Sequence, residues 1–318
     1  MWISVYLDAL YHFDRQRFNA KPFDDILALV KESGAGGICL SAGSEGNHCN
    51  IDDMLNDPAE VGKFRQTLDR HGLRVSAFNA AGNPAGGNPL HPKNKHGADS
   101  VQKTILLAEK LGVEYVVAFA GLPGDSPEAV HPNWVTTTYP CPELDDVLEW
   151  QWSEVAIPFW KEQASFAREH GVTICLELLP CTLVYNTETF LRLRAATGAG
   201  IGVNMDPSHL MWMGVDPLAA TKALADHIFY VHAKDTMYIP KNRSLNGYLD
   251  PKPLDGVDRR SWIFTQLGHG NGEDWWKSFI AVLKEIGYDG VISVEQEDPR
   301  GSREEFLKKD VAFLQGLL

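Results

Sequence analysis

The stretch Ile201-Gly202-Val203-Asn204-Met205-Asp206-Pro207-Ser208-His209 begins as a short apolar run of strand type and ends in a cluster of polar groups. Pro207 has no N–H to give a sheet ladder, so the strand is expected to stop there. Asp206 then sits at its C-terminal tip, with His209 just beyond. Three further stretches share this design: Val172–Pro180 (VTICLELLP) ends on Glu177, Ile228–Thr236 (IFYVHAKDT) carries His232, and Gly290–Pro299 (GVISVEQEDP) carries Glu295. Three carboxylates and an imidazole on four successive strand ends outline a divalent-metal site.

Outward from these strands the chain alternates strand and helix. Trp2–Ala9, Gly36–Ala42, Leu73–Asn79 and Val113–Gly121 read as the first four strands. Pro22–Gly34, Asp57–Gly72 and His96–Gly112 read as helices between them, each closed by a glycine. A loop at Ala80–His91 contains the turn-rich doublet GNPAGGNP, and a long aromatic loop spans Leu122–Asp146. Helices follow at Leu148–Gly171, Thr187–Gly198, Pro217–Asp226, Glu273–Gly287 and Ser302–Leu318, with a second long loop from Met237 to about Gly272. Ser302 and Glu305 have capping-box spacing.

About eight strand–helix units imply a parallel sheet buried on both faces, closed as a (β/α)₈ TIM barrel of α/β class. An open doubly wound sheet would need a phosphate-type glycine loop after its first strand, and none is found. The run Gly268-His269-Gly270-Asn271-Gly272 follows a loop rather than a strand, so a flexible turn explains it at least as well as phosphate binding. No composition break marks a linker, and residues 1–318 are expected to form a single catalytic domain.

The formal net charge of −13 repels phosphate backbones and anionic lipid, which argues against nucleic-acid and membrane partners. Five cysteines without a CxxC pair fit a reduced cytoplasm and provide no disulfide or zinc-ribbon framework. The first residues show no basic region or long apolar run before Asp8 and Asp14, so neither a signal peptide nor a membrane span is expected.

In a barrel the strand ends converge on one mouth. Side chains alternate along a strand, so an inward Glu177 takes Cys175 and Thr173 with it, and an inward Asp206 takes Asn204. An inward His232 takes Lys234, and an inward Glu295 takes Ser293 and Glu297. A lone acid at a strand end is more often a cap or ion-pair partner than a ligand. Three acids buried together, however, repel one another unless a cation joins them. The metal set is therefore Glu177, Asp206, His232 and Glu295, with Mn²⁺ first and Mg²⁺, Co²⁺ or Zn²⁺ as alternatives. His209 is read as a substrate contact. For Lys234, pairing with Glu297 and contact with a substrate oxygen are equally open. Asp235 is expected to face away from His232. Trp152, Trp160, Trp275 and Trp276 are assigned to packing, whereas Trp134 and Trp212, in or next to mouth loops, are candidates for a sugar-stacking wall.

The stretches CLELLP, NMDPSH, YVHAKD, GHGNGEDWW and GYDGVISVEQED resemble the sugar phosphate isomerase/epimerase superfamily of xylose-isomerase-like barrels. The resemblance covers most of the chain and is strongest from Val172 onward. It implies that Glu177 and Glu295 both hold the ion and move protons, that Asp206 and His232 complete the ligands, and that His209 touches sugar hydroxyls. Relatives in this superfamily include ketose epimerases, inosose dehydratases and lyases acting on 3-keto-glycosides. The longer loops after the fourth and seventh strands depart from the compact epimerases.

The function expected is that of a divalent-metal-dependent sugar isomerase or epimerase, acting by proton abstraction next to a carbonyl through a metal-stabilised enediolate. The alternative is a metal-dependent lyase or dehydratase on a keto-sugar or 3-keto-glycoside. A DNA-repair endonuclease on the same barrel would need more histidines and a basic face, which the −13 charge opposes. A metal-binding module without catalysis is the remaining rival. The partner is a small sugar or keto-sugar, with a homo-oligomer or an accessory subunit left open.

Overall fold

The computed structural model describes residues 1–10, 21–43, 48–80, 88–254 and 256–318. Most of the GNPAGGNP doublet, from Gly82 to Gly87, lies outside the described residues, as does Asp14.

Eight parallel strands close a barrel. They are β1 (Trp2–Tyr6), β2 (Gly37–Ser41), β3 (Arg74–Asn79), β4 (Tyr115–Phe119), β5 (Thr173–Glu177), β6 (Ile201–Met205), β7 (Ile228–Ala233) and β10 (Val291–Val294). The order around the barrel is β1-β10-β7-β6-β5-β4-β3-β2, which is chain order closed on itself. The expected barrel is therefore the observed one, with each strand a residue or more shorter than its apolar run. Pro207 ends β6 as expected and opens the helix Pro207–Met213, which Asp206 caps by accepting the Ser208 N–H at 2.8 Å. The helix Phe23–Ser33 stops at Gly34 with φ 89, a conformation that a side chain disfavours.

The chain groups into two compact units, Met1–Leu40 with Val61–Ser76 and Met205–Leu318, and Ser41–Glu60 with Ala77–Asn204. In the first, the register pairs Ser4 with Ser293 and Ser293 with His232. Ser4 Oγ and the Tyr230 hydroxyl each lie 2.7 Å from Ser76 Oγ, forming a polar patch within apolar strands. The second loop expected from Met237 contains a structured hairpin instead. β8 (Asp235–Tyr238) and β9 (Trp262–Thr265) pair antiparallel, and the helix Pro240–Asn246 lies between them. Four residues per strand are too short for a periodicity to show in sequence. The hairpin is tied to the helix Pro207–Met213 by Tyr238 Oη donating to Met211 O at 2.6 Å and Thr236 Oγ1 donating to Ser208 O at 2.9 Å.

In the second unit, the helix Glu143–Trp150 continues through a π-helical turn, Gln151–Ala156, into the helix Ile157–Glu169. The buried Gln151 amide donates to the Gly124 carbonyl at 2.8 Å and the Asn133 carbonyl at 2.7 Å, so this turn anchors the long loop before it. Trp152 and Trp160 are buried packing residues, and in the first unit so is Trp276. Among the described residues no helix is long and apolar enough to cross a membrane.

Candidate metal centre

Glu177 closes β5, Asp206 follows β6, His232 sits near the end of β7 and Glu295 follows β10. Each is placed by a strand that ends where its polar residues begin. One ligand atom from each of the four lies within 4.8 Å of the other three, and all four residues are buried. Asn204, one strand position before Met205, donates to Glu177 Oε2 at 2.9 Å. His232 Nδ1 lies 2.7 Å from Glu295 Oε2, and its ring stacks on Tyr6 at 5.6 Å with the edge of Tyr230 at 5.7 Å.

Lys234 sits among the acids. Its Nζ lies 2.9 Å from Glu295 Oε1, 3.2 Å from Asp206 Oδ2 and 3.5 Å from Glu297 Oε2, over the Phe264 ring at 4.6 Å. Pairing with Glu297 is thus one of three such contacts. His209 is buried, with Nε2 3.4 Å from Asp206 Oδ2 and its ring edge-on to Phe264 at 5.5 Å.

The donor set fits a divalent ion. Asp206 Oδ1 is committed to its helix cap, whereas Oδ2 is buried, receives no hydrogen bond of good geometry, and has Lys234 and His209 beside it. Four carboxylates, those of Glu177, Asp206, Glu295 and Glu297, stand against the one Lys234 ammonium, an excess of negative charge that a divalent cation offsets. The oxygen-rich set suits a hard cation better than a thiolate-seeking one.

The other expected contacts are placed differently. Trp134 is half-buried and meets Tyr185 edge-on at 5.5 Å, and its indole Nε1 finds no hydrogen-bond partner among the described residues. Trp212 is buried with one face covered by Trp262, stacked at 4.4 Å, in a cluster that includes Phe264. Phe264 and Trp262, which sequence reading left inside a loop, thus lie between Trp212 and the groups around Lys234. Their only sequence signal was the short apolar run WIFT.

Asp235 turns to the glycine-rich loop. Its carboxylate accepts the N–H groups of Gly268 at 3.0 Å, Gly270 at 3.2 Å and Asn271 at 3.1 Å, with Trp276 Nε1 at 3.2 Å. The loop's donors are therefore satisfied by the chain's own carboxylate rather than arranged for a phosphate. A Cβ at Gly270 would meet Thr236 O at 2.2 Å, so this close approach requires glycine. Burial pushes the Asp235 carboxyl above its ordinary range, against hydrogen bonds from Asn271 and Trp276 that lower it.

Burial acts more strongly on Asp310, in the helix Arg303–Gln315, whose carboxyl is pushed up to about 7 from an ordinary 3.8. Hydrogen bonds from Leu267 N–H and Gln296 oppose the shift, and the charges of Asp298 and Asp235 add to it. Because the folded chain holds this proton more tightly than the unfolded one, Asp310 favours folding at low pH. That contribution is lost as pH rises from about 4 to about 7. The melting temperature of wild type minus that of Asp310→Asn is expected to fall across this window and level off above it. A flat difference from pH 4 to 8 would contradict the assignment.

The xylose isomerase-like TIM barrel family model matches residues 27–317. The Bacillus subtilis (strain 168) protein YfiH, described as uncharacterized, is 37% identical over 318 residues, which cover 99% of this chain and 98% of YfiH. Among solved structures, an IOLI protein with a binding zinc atom superposes with a TM-score of 0.64 at 18% identity, covering 100% of this chain and 98% of that one. The 3-keto-D-glucoside 4-epimerase YcjR of E. coli, in its apo form, superposes with a TM-score of 0.62 at 16% identity, covering 99% of each chain. At these identities the two structures establish likeness of fold.

Proposed function

The chain belongs to the xylose isomerase-like TIM barrel family, and on that premise we propose that it is a metal-dependent sugar isomerase or epimerase working by proton abstraction next to a carbonyl. The observation that carries this reading is the buried meeting of Glu177, Asp206, His232 and Glu295 with the Lys234 ammonium among their oxygens. These four residues would hold the ion, Mn²⁺ ahead of Mg²⁺, Co²⁺ and Zn²⁺, and residues 1–318 act as one catalytic domain. When bound, the ion supplies Lewis-acid polarisation of the substrate carbonyl.

The chain's own groups do the rest. Glu177 and Glu295 are the acid–base pair: one takes the carbon-bound proton, and the other returns a proton to the neighbouring carbon or the opposite face. Asn204 orients Glu177 through its 2.9 Å hydrogen bond. Lys234 and His209, both buried, meet substrate hydroxyls, with Phe264 as the apolar surface beside them. Trp134, half-buried, remains the candidate for a sugar-binding wall, whereas Trp262 already covers a face of Trp212. The substrate is a small sugar or keto-sugar, and the protein acts in the cytoplasm.

Elimination from a keto-sugar is the second reading. It is favoured by Lys234 and His209, two non-ligand groups at 3.2 and 3.4 Å from Asp206 Oδ2 that can pass a proton to a leaving oxygen. One experiment separates the two: Mn²⁺-loaded protein is incubated in D₂O with keto-sugars, inososes and 3-keto-glycosides and followed by mass spectrometry and NMR. An isomeric product carrying solvent deuterium supports isomerisation or epimerisation. A product lacking water or an aglycone moves the assignment to a lyase. No deuterium uptake and no product from any of these classes would sink both, leaving an ion-binding module.

A further inference from the structure

Beyond β10 the segment Glu295-Gln296-Glu297-Asp298 keeps strand alternation, with the Glu295 N–H still donating to the Ala233 carbonyl at 3.1 Å. Glu295 and Glu297 reach Lys234. Gln296 and Asp298, both buried, point the other way into a second polar set. There the Gln296 amide donates through Nε2 to Asp310 Oδ2 and accepts the Asp298 N–H at 2.6 Å on Oε1. Asp310 Oδ1 accepts the Leu267 N–H at 3.0 Å. Asp298 Oδ2 accepts the Gln266 N–H and the Thr265 hydroxyl, each at 3.2 Å, and Arg300 clasps the same carboxylate.

We propose that Gln296 and Asp310 are positioning residues for Glu295 and Glu297: they clamp the β10 extension to the C-terminal helix and to the loop after β9. This inference rests on the reading of Glu295 as an ion ligand. The geometry favours it over simple packing for one reason. Residues of one short extended segment cannot move independently, so a shift of the Gln296 side chain towards or away from Asp310 carries Glu295 and Glu297 with it. The clamp also spans three elements, so it fixes the extension relative to Phe264, which stands on β9 over Lys234. Each amide and carboxylate atom of the Gln296–Asp310 pair has a defined partner, which makes the pair intolerant of a donor facing a donor.

The test is titration of Mn²⁺ into four proteins at pH 8, with melting temperatures recorded alongside. In Asp310→Asn the new amide needs its oxygen for Leu267, which turns its NH₂ against the NH₂ of Gln296. Gln296→Glu alone sets two carboxylates against each other. The double variant Gln296→Glu/Asp310→Asn restores one donor and one acceptor. Each single variant is expected to bind Mn²⁺ about 10–100-fold more weakly, the usual size of a lost outer partner of a ligand, and the double variant to return close to wild type. A purely packing role would lower the melting temperatures and leave the affinities unchanged, which would overturn the clamp alone. A wild type that binds no Mn²⁺ would overturn the site reading and the clamp with it. If Asp310→Asn does not fold, Gln296→Ala leaves the Asp310–Leu267 bond in place, and the same weakening is expected there.

Discussion

Glu177→Gln and Glu295→Gln are each expected to lose turnover by roughly 10²–10⁴-fold, the usual contribution of one positioned general base, while ion binding persists. The shapes of both sites allow this separation. At position 177 the glutamine oxygen can still accept from Asn204, which approaches to 2.9 Å in the wild type. At position 295 the glutamine oxygen can face Lys234 Nζ and its NH₂ can face His232 Nδ1, the groups now at 2.9 and 2.7 Å. What the substituted side chain cannot do in either variant is take a proton from carbon. The measurement is solvent-deuterium exchange into substrate, with Mn²⁺ affinity in parallel. Wild-type exchange in both variants would place the base elsewhere, with His209 and Lys234 next in line, and would favour the lyase reading.

Lys234→Met is expected to have the largest effect on the metal-free protein. The methionine fills the same space over Phe264 but leaves Asp206, Glu295 and Glu297 without the ammonium that now touches all three. Removing one partner from a buried ionic cluster costs about 3–5 kcal/mol. The melting temperature of the metal-free variant should fall sharply at pH 8. Added Mn²⁺ should recover much of the loss, because an ion bound only by the folded state at 100 times its Kd stabilises by about 2.7 kcal/mol. A metal-free variant as stable as wild type, or one that Mn²⁺ leaves unchanged, would mean that the three acids do not share one electrostatic site.

How much of this was legible beforehand depends on the range of the interaction concerned. The barrel could be read because its signals are local. A run such as IGVNM followed by Pro207 declares a strand and its end within a few residues, and repeating that pattern about eight times leaves little but a closed parallel sheet. The grouping of Glu177, Asp206, His232 and Glu295 followed from the same local fact, since barrel closure brings strand tips to one mouth. Asp235 turns to the glycine-rich loop for a different reason from the alternation expected, because β7 ends at Ala233 and Asp235 opens β8.

The hairpin of β8 and β9 escaped because its strands are four residues long and 23 residues of loop and helix separate Tyr238 from Trp262. Trp212 was expected in a sugar wall, but a face of it is covered by Trp262, 50 residues away, and local sequence does not announce such a pair. Lys234 between Asp206, Glu295 and Glu297, and Asp310 against Gln296, are likewise contacts between elements. The sequence by itself determined the barrel and the acids and imidazole that stand at its strand ends, because periodicity, proline stops and strand-end residues act over a few positions. The tertiary structure alone decided which cation stands among those acids, which aromatic faces are already taken and which residues hold the β10 extension in place, because burial and hydrogen bonding at those points depend on partners distant along the chain.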